Sequence, residues 1–153
     1  MEQATFSEIY EAHAADVHRF VRYLSGSQDL ADEVTAETFM RAWTGRAPVR
    51  TATARAYLLA IARNLVTDER RRTSRLTAIT DVHPARSASA QDLLEYGEVM
   101  EELRAMPRDY SEPLLLSAGG LAYDEIAAML GLSVATVKIR IFRARTRLKE
   151  LHQ

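Results

Sequence analysis

The chain has 153 residues, of which 47% are hydrophobic, and its formal net charge is −1. This length accommodates one domain or two small ones, and the near-neutral charge excludes a generally basic protein that coats nucleic acid. The absence of cysteine excludes disulfides and thiolate metal sites.

The N-terminal residues show the periodicity of two amphipathic helices. Thr5 and Glu8 form a predicted capping box at the start of the first helix, which ends at the Ser-Gly-Ser turn of residues 25–27. Asp29 is the predicted cap of a second helix that runs to about Trp43. The apolar stripe of the first helix comprises Phe6, Ile9, Tyr10, His13, Val17, Phe20, Val21 and Leu24.

The second helix carries the acids Asp32, Glu33 and Glu37 near two large aromatic residues, Phe39 and Trp43. An acidic and aromatic face is typical of a surface that docks on another protein. The alternative is that both aromatic side chains belong to the core and that the acids are solvated. The segment alone favours neither interpretation.

A loop with one Gly and one Pro is predicted over residues 44–53, and a third helix over about 54–72. Asn64 lies in the middle of this helix, where asparagine is a poor helix former. Its amide can read a nucleobase edge, because it offers a donor and an acceptor together, or it can simply face solvent. The residues expected to point inward are Leu58, Ile61, Ala62 and Leu65.

Residues 73–91 have weak periodicity and many small polar side chains, so we expect an interdomain linker. A second helical domain is predicted over residues 92–153. Pro107 ends its first helix, and the next covers roughly residues 108–117. Pro113 within that range predicts either a kink or a late helix start.

The strongest motif is a predicted helix over residues 123–130, a turn over 131–133 and a longer helix over 134–151. Gly131 can adopt the left-handed conformation that ends a helix, and Ser133 can cap the next one. This order of elements is typical of a DNA-binding helix-turn-helix. The stripe expected in the core comprises Val134, Val137, Ile141, Ala144, Leu148 and Leu151.

The last helix is strongly basic. Residues 134–149 contain six of the 20 basic residues and no acid, which gives this stretch a charge of +6 and leaves −7 on the rest. A solvated surface helix is the plain alternative, but the capped turn directly before it favours DNA binding. Arg143 and Arg147 can pair with phosphates or guanine edges, whereas Ile139 can make only an apolar contact, for instance with a thymine methyl. The side chains expected at the DNA are Thr136, Ile139, Phe142, Arg143 and Arg147.

The sequence indicates no catalytic or cofactor site. The four histidines lack metal-ligand spacing, and there is neither a glycine-rich phosphate loop nor a nucleophile elbow. No apolar stretch is long enough to span a bilayer and no signal-peptide pattern is present, so we expect a cytoplasmic protein without membrane insertion.

Three segments together resemble the extracytoplasmic-function (ECF) sigma factors of bacterial RNA polymerase. They are residues 32–43 (DEVTAETFMRAW), 57–68 (YLLAIARNLVTD) and 123–145 (YDEIAAMLGLSVATVKIRIFRAR). The resemblance covers nearly the whole chain except the linker. It implies an all-α protein of two small helical domains, sigma domain two in residues 1–72 and sigma domain four, the helix-turn-helix, in 92–153.

This resemblance implies the partners and the sites. Domain two is expected to dock on the clamp of the polymerase core and to open the −10 element, and domain four to sit on the flap and read the −35 element. An anti-sigma factor is expected to cover the polymerase-binding surfaces. The polymerase-binding residues are then Asp32, Glu33 and Glu37. The −10 residues are Arg63, Asn64, Arg70 and Arg71, with the loop of residues 44–53 capturing a flipped base. The −35 residues are Thr136, Lys138, Ile139, Arg140, Phe142, Arg143 and Arg147.

Two residues depart from the family pattern. Ala36 stands where the family commonly has glutamine, and Ile139 where it often has a small polar residue. The competing interpretation is a helix-turn-helix regulator that does not replace a sigma subunit. It leaves the Asn64 helix and the acidic second helix unexplained.

Overall fold

The computed structural model describes residues 5–45, 54–80 and 101–151, with the side chains of 76–80 and 151 excepted. All regular structure in these ranges is helical, which confirms the predicted fold class. The chain divides into two compact units, Met1–Ser87 and Ala88–Gln153. None of the described helices is long and apolar enough to cross a membrane.

Helix α1 spans Phe6–Ser25 and begins after Thr5, which supplies the N-cap half of the predicted capping box. The Thr5 hydroxyl oxygen accepts a hydrogen bond from the Glu8 backbone N–H at 3.2 Å, and the same hydroxyl donates to the Glu8 carboxylate at 3.0 Å. At the other end Gly26 adopts a left-handed φ of 73°, and its N–H bonds to the Arg22 carbonyl. Glycine takes this conformation without the steric penalty that a Cβ would bring.

Helix α2 spans Gln28–Thr44 and is capped by Ser27, whose hydroxyl oxygen accepts from the Leu30 N–H at 3.1 Å. The prediction that Asp29 caps this helix is therefore wrong. Asp29 lies inside the first turn, where its charge favours the positive end of the helix dipole.

Helix α3 spans Ala54–Thr80 and is longer than predicted. Residues 73–80, expected at the start of the linker, continue the helix, because neither Gly nor Pro interrupts them. The rest of the predicted linker, residues 81–91, lies outside the described residues. Helices α1, α2 and α3 pack against one another and enclose the first core.

The buried face of α3 is rotated from the predicted one. Leu58 and Ala62 are buried as expected, but Ile61 and Leu65 are only half-buried. Leu59 and Val66 are buried instead, at 1% and 0% exposure. Helix α3 packs against both α1 and α2, so its buried face is set by two neighbouring helices and not by one.

The second unit contains α4, of which residues 101–105 are described, followed by α5 (Arg108–Ala118), α6 (Tyr123–Leu130) and α7 (Val134–Leu151). Helix α5 begins directly after Pro107 and continues through Pro113, so the late start suggested by that proline is wrong. Helices α5 and α6 both pack against α7. The core of this unit includes Leu103, Met106, Leu115, Leu116, Leu121, Ile126, Val137 and Ile141.

One titratable group lies in an unfavourable position inside the first unit. The Nδ1 atom of His13 is buried and has no hydrogen-bond partner among the described residues. Burial, and secondly the charge of Arg55, lower the pKa of His13 below its ordinary value of 6.5, against the opposing influence of Asp16. The folded protein therefore favours the neutral form of the His13 imidazole.

We expect this histidine to make stability depend on pH. Because the unfolded chain binds a proton at His13 more readily than the folded chain, the free energy of unfolding should fall as the pH is lowered from 6.5 towards the lowered pKa. Urea unfolding of the wild type and of His13→Gln between pH 8 and pH 5 measures this dependence. The variant should lose the part of the pH dependence due to His13, and identical pH profiles for the two proteins would contradict the assignment.

Candidate nucleic-acid interface

The turn between α6 and α7 is held by backbone and side-chain hydrogen bonds. Gly131 has a φ of 70°, and the N–H of Leu132 bonds to the Ala127 carbonyl at 2.9 Å. The Ser133 hydroxyl oxygen then accepts from the Thr136 N–H at 3.1 Å, which caps α7 as predicted. These bonds fix the direction in which α7 leaves the turn.

The buried face of α7 fixes its rotation about its own axis. Val137, Ile141 and Ala144 are 0%, 1% and 0% exposed, in agreement with the predicted stripe. Val134 departs from that stripe, since it lies at the first position of the helix and is 38% exposed. Leu148 is half-buried, and the side chain of Leu151 lies outside the described part of the chain.

The basic side chains of α7 lie on both sides of its outward face. At about 100° per residue, three follow one flank and three the other. All are exposed except Arg140, which is half-buried. Within the described residues, no carboxylate lies within ion-pair distance of any of them. The first flank carries Lys138, Arg145 and Lys149, and the second Arg140, Arg143 and Arg147.

A groove of about 250 Å³ lies beside the second flank. The guanidinium of Arg147 sits over the Tyr110 ring, 5.7 Å from its centroid, in a cation–π contact. Tyr110 comes from α5 and was not among the predicted site residues, because its contact with α7 depends on how the two helices pack. The groove is lined by Tyr110, Phe142, Arg143, Thr146, Arg147 and Glu150.

The four predicted −10 residues on α3 do not share one face. Asn64 and Arg71 are both exposed and, seven residues apart, lie on the same side of the helix. Arg63 and Arg70 are half-buried and lie on another side. The Arg70 guanidinium donates a hydrogen bond to the Leu24 carbonyl at the end of α1, so it also has a structural role.

An aromatic side chain that sequence reasoning missed shares the Asn64 face. Tyr57 is 37% exposed and lies seven residues before Asn64. Its hydroxyl lies 3.1 Å from the position that a Cβ would take at Gly45, where the predicted base-capturing loop begins. Residues 46–53 of that loop lie outside the described residues.

The two aromatic residues of the acidic helix α2 differ in burial, which the sequence alone did not decide. Phe39 is 3% exposed and belongs to the core, whereas Trp43 is 51% exposed. The core interpretation is therefore correct for Phe39 and wrong for Trp43, and the docking surface stays a prediction. Met40, with 58% exposure, lies on the same outward face as Glu33 and Glu37, a mixed surface that the sequence did not predict.

The acids of α2 differ in their partners. The Glu37 carboxylate accepts from the Arg41 guanidinium at 2.9 Å, one helical turn along, and both side chains are exposed. The Asp32 carboxylate lies 2.8 Å from Nε2 of His18 on α1. Such exposed pairs contribute little to stability, so the acids remain available to an incoming partner.

Part of the outward face of α2 joins an aromatic cluster with α1. The Phe6 ring lies 5.3 Å from Trp43 and 6.0 Å from Tyr10 between centroids, and Tyr10 lies 4.9 Å from the buried Phe39. Phe6 and Tyr10 are 37% and 45% exposed.

In the described residues, no group of three or more His, Asp or Glu side chains could hold a metal ion.

Comparison with known proteins agrees with this geometry. The model of Sigma-70 region 2 matches residues 9–76, and that of Sigma-70 region 4 matches residues 96–148. The ECF RNA polymerase sigma factor SigM of Bacillus subtilis is 30% identical over 155 residues, which cover 97% of this chain and 95% of SigM. The chain belongs to the ECF RNA polymerase sigma factors.

Two further sigma factors extend the comparison. SigE of Mycolicibacterium smegmatis is 30% identical over 95% of this chain, which spans 61% of the length of SigE. Among solved structures, the sigma factor RpoE of Bartonella quintana, in complex with the anti-sigma factor NepR, superposes with a TM-score of 0.75 at 27% identity and covers 95% of both chains.

Membership of this family decides between the two interpretations of the helix-turn-helix. ECF sigma factors initiate transcription at specific promoters, bind core RNA polymerase and promoter DNA, and are not enzymes. A helix-turn-helix regulator with an unrelated N-terminal bundle would not match Sigma-70 region 2 over residues 9–76. The region 2 match ends at residue 76, within α3.

Proposed function

We propose that this ECF sigma factor reads the −35 element with α7, engages the −10 element with the Asn64 face of α3, and docks on core polymerase with the outward face of α2. The observation that supports this most strongly is the charge on α7. Its six basic side chains lie outside the core and, within the described residues, none has an ion-pair partner. A capped helix of this kind fits the width and the negative potential of the major groove.

At the −35 element, different residues of α7 have different tasks. Arg143 lies near the middle of the outward face, within reach of base edges, where a guanidinium can pair with guanine O6 and N7. Lys138, Arg140 and Arg147 lie on the flanks and are suited to phosphates, which position a protein without reading sequence. The cation–π contact with Tyr110 limits the conformations of Arg147 before DNA arrives.

At the −10 element, Asn64 is the proposed reader of a base. Its side chain is exposed and presents a donor and an acceptor to solvent. Tyr57 on the same face offers a ring on which an unpaired base can stack, and Arg71 can hold the backbone. New contacts to a single strand offset the cost of unstacking, so this face favours open DNA.

For the polymerase, Glu33 and Glu37 supply charge while Met40 and Trp43 supply apolar area. This combination of buried anchors and polar surroundings is common at protein interfaces. The clamp is the proposed partner of this face. A contact between the second unit and the flap rests on the family resemblance alone. With these partners, the protein would work in the bacterial cytoplasm.

An anti-sigma factor is a further proposed partner. The B. quintana structure holds its sigma factor in complex with the anti-sigma factor NepR. The exposed apolar residues of α2 suit such regulation, because a protein that covers Met40 and Trp43 would compete directly with the clamp.

Run-off transcription with purified core polymerase and no other sigma factor tests the proposal as a whole. Specific initiation that depends on the added chain is the expected result. Transcription that begins only when another sigma factor is supplied would refute it.

Arg143→Ala should weaken binding of the holoenzyme to duplex −35 DNA by about 1–3 kcal/mol, because a base-reading guanidinium is lost. Fluorescence anisotropy measures this change. Arg19→Ala removes an exposed arginine of α1 that pairs with Asp16, and provides the matched control. An unchanged affinity for Arg143→Ala would remove this residue from the interface.

Asn64→Ala should leave polymerase binding and −35 affinity intact but reduce promoter opening, since only the contact with the separated strand is lost. Permanganate reactivity of thymines in the −10 element reports opening. Equal reactivity in the variant and the wild type would mean that Asn64 faces solvent without a role in opening.

Glu37→Arg should abolish co-purification with core polymerase, because it reverses charge at the centre of the docking face. Glu11→Arg, at an exposed position of α1, is the control for charge reversal. Normal co-purification of Glu37→Arg would place the docking face elsewhere.

A further inference from the structure

Helix α7 exposes two large apolar side chains near the middle of its outward face, in addition to Val134 at its first position. Ile139 is 50% exposed and Phe142 is 70% exposed. They lie three residues apart, one turn along the helix, so they form a continuous apolar ridge. The core of the second unit lies on the opposite side, where Val137, Ile141 and Ala144 are buried.

The charges around this ridge indicate what covers it. Lys138, Arg145 and Lys149 follow one side of the ridge, and Arg143 and Arg147 follow the other. An apolar strip between two rows of cations fits a polyanion that presents small apolar groups between its phosphates. The major groove of DNA has this composition, because the phosphates of its two strands border the base edges.

The two threonine hydroxyl groups on the outward face each have a partner within the protein. The Thr136 hydroxyl lies 2.9 Å from the Ser133 hydroxyl at the N-terminus of α7. The Thr146 hydroxyl donates to the Phe142 carbonyl at 2.9 Å. The centre of this face presents the apolar ridge, with Arg143 and Glu150 as its exposed charged neighbours.

Among the base edges of the major groove, only thymine presents a methyl group, at its C5. We propose that Ile139 and Phe142 select thymine 5-methyl groups within the −35 element. The proposal rests on the −35 role of α7 and adds the chemical group that is read. The rise between the two residues along the helix is about 4.5 Å, and stacked base pairs are about 3.4 Å apart. With the helix lying along the groove, the two side chains can contact neighbouring base pairs.

The size of the effect follows from the methyl group. Burying one methyl-sized group contributes about 0.8 kcal/mol, which corresponds to a change of about fourfold in affinity. Deoxyuridine is the ideal probe, because it pairs like thymidine and lacks only the 5-methyl.

The experiment uses holoenzyme assembled from the full chain and core polymerase. Selection from DNA with a randomised −35 window first gives the preferred element. Each thymine in it, on either strand, is then replaced singly by uracil, and affinity is measured by anisotropy. At least one replacement should weaken wild-type binding about fourfold, whereas uracil outside the element should have no effect.

Three variants connect the effect to the ridge. Ile139→Ser and Phe142→Ser each remove one apolar side chain, and at each critical thymine one of these two variants should bind the thymine and uracil forms equally. Ile139→Val keeps two methyl groups and should retain most of the discrimination. Thermal unfolding of each variant checks that the second unit remains folded.

The outcomes separate this inference from the proposed function. If the holoenzyme selects no −35 sequence, the proposed function of α7 fails. If it selects a sequence but tolerates uracil at every position, or if Ile139→Ser and Phe142→Ser both still discriminate fully, the thymine inference is overturned while the −35 role stands. A selected element without thymine on either strand would also overturn it.

Discussion

The burial of one face of α7 is the constraint on which the proposed DNA interface depends. Val137, Ile141 and Ala144 are almost fully removed from solvent where α7 meets α5 and α6. Turning the helix about its axis would expose these side chains and bury cations, and desolvating an unpaired charge is far costlier than exposing a methyl group. The left-handed Gly131 and the Ser133 cap fix where the helix begins. Burial therefore decides which side chains of α7 face the groove. The charges of these side chains then attract the DNA, but they do not set the rotation of the helix.

In the first unit, burial likewise decides which side chains of α2 face solvent. Helix α2 buries Val34, Phe39 and Ala42 and exposes Met40 and Trp43 beside its acids. Met40 and Trp43 are exposed and are therefore not part of the three-helix core. Trp43 is held partly in place by its edge contact with the Phe6 ring of α1. Such a surface is suited to a partner that can cover apolar area and meet negative charge, and competition for it would give an anti-sigma factor direct control.

Helical periodicity and capping chemistry were sufficient to predict most helix limits, because both depend on residues close in sequence. The N-cap at Thr5, the Gly131 turn and the central part of the α7 stripe, Val137, Ile141 and Ala144, are confirmed for this reason. Predictions that depended on packing were less accurate. The buried face of α3 is rotated because two helices cover it, and Arg70 reaches the carbonyl of Leu24, 46 residues away in sequence. Tyr110 beside Arg147 and the exposure of Trp43 also depend on tertiary packing. The capping error at Asp29 is local, since Ser27 and Asp29 both suit an N-cap and the sequence does not choose between them.

The central claim is that separate units of the chain contact separate promoter elements. Site-specific photocrosslinking in the holoenzyme tests it directly, with a photoreactive amino acid at Ala135 of α7 in one protein and at Asp68 of α3 in another. Crosslinks from position 135 should map to duplex DNA at the −35 element, and those from position 68 to the strand opened at the −10 element. Crosslinks from both positions to the same element, or from position 68 only to duplex DNA, would contradict the account.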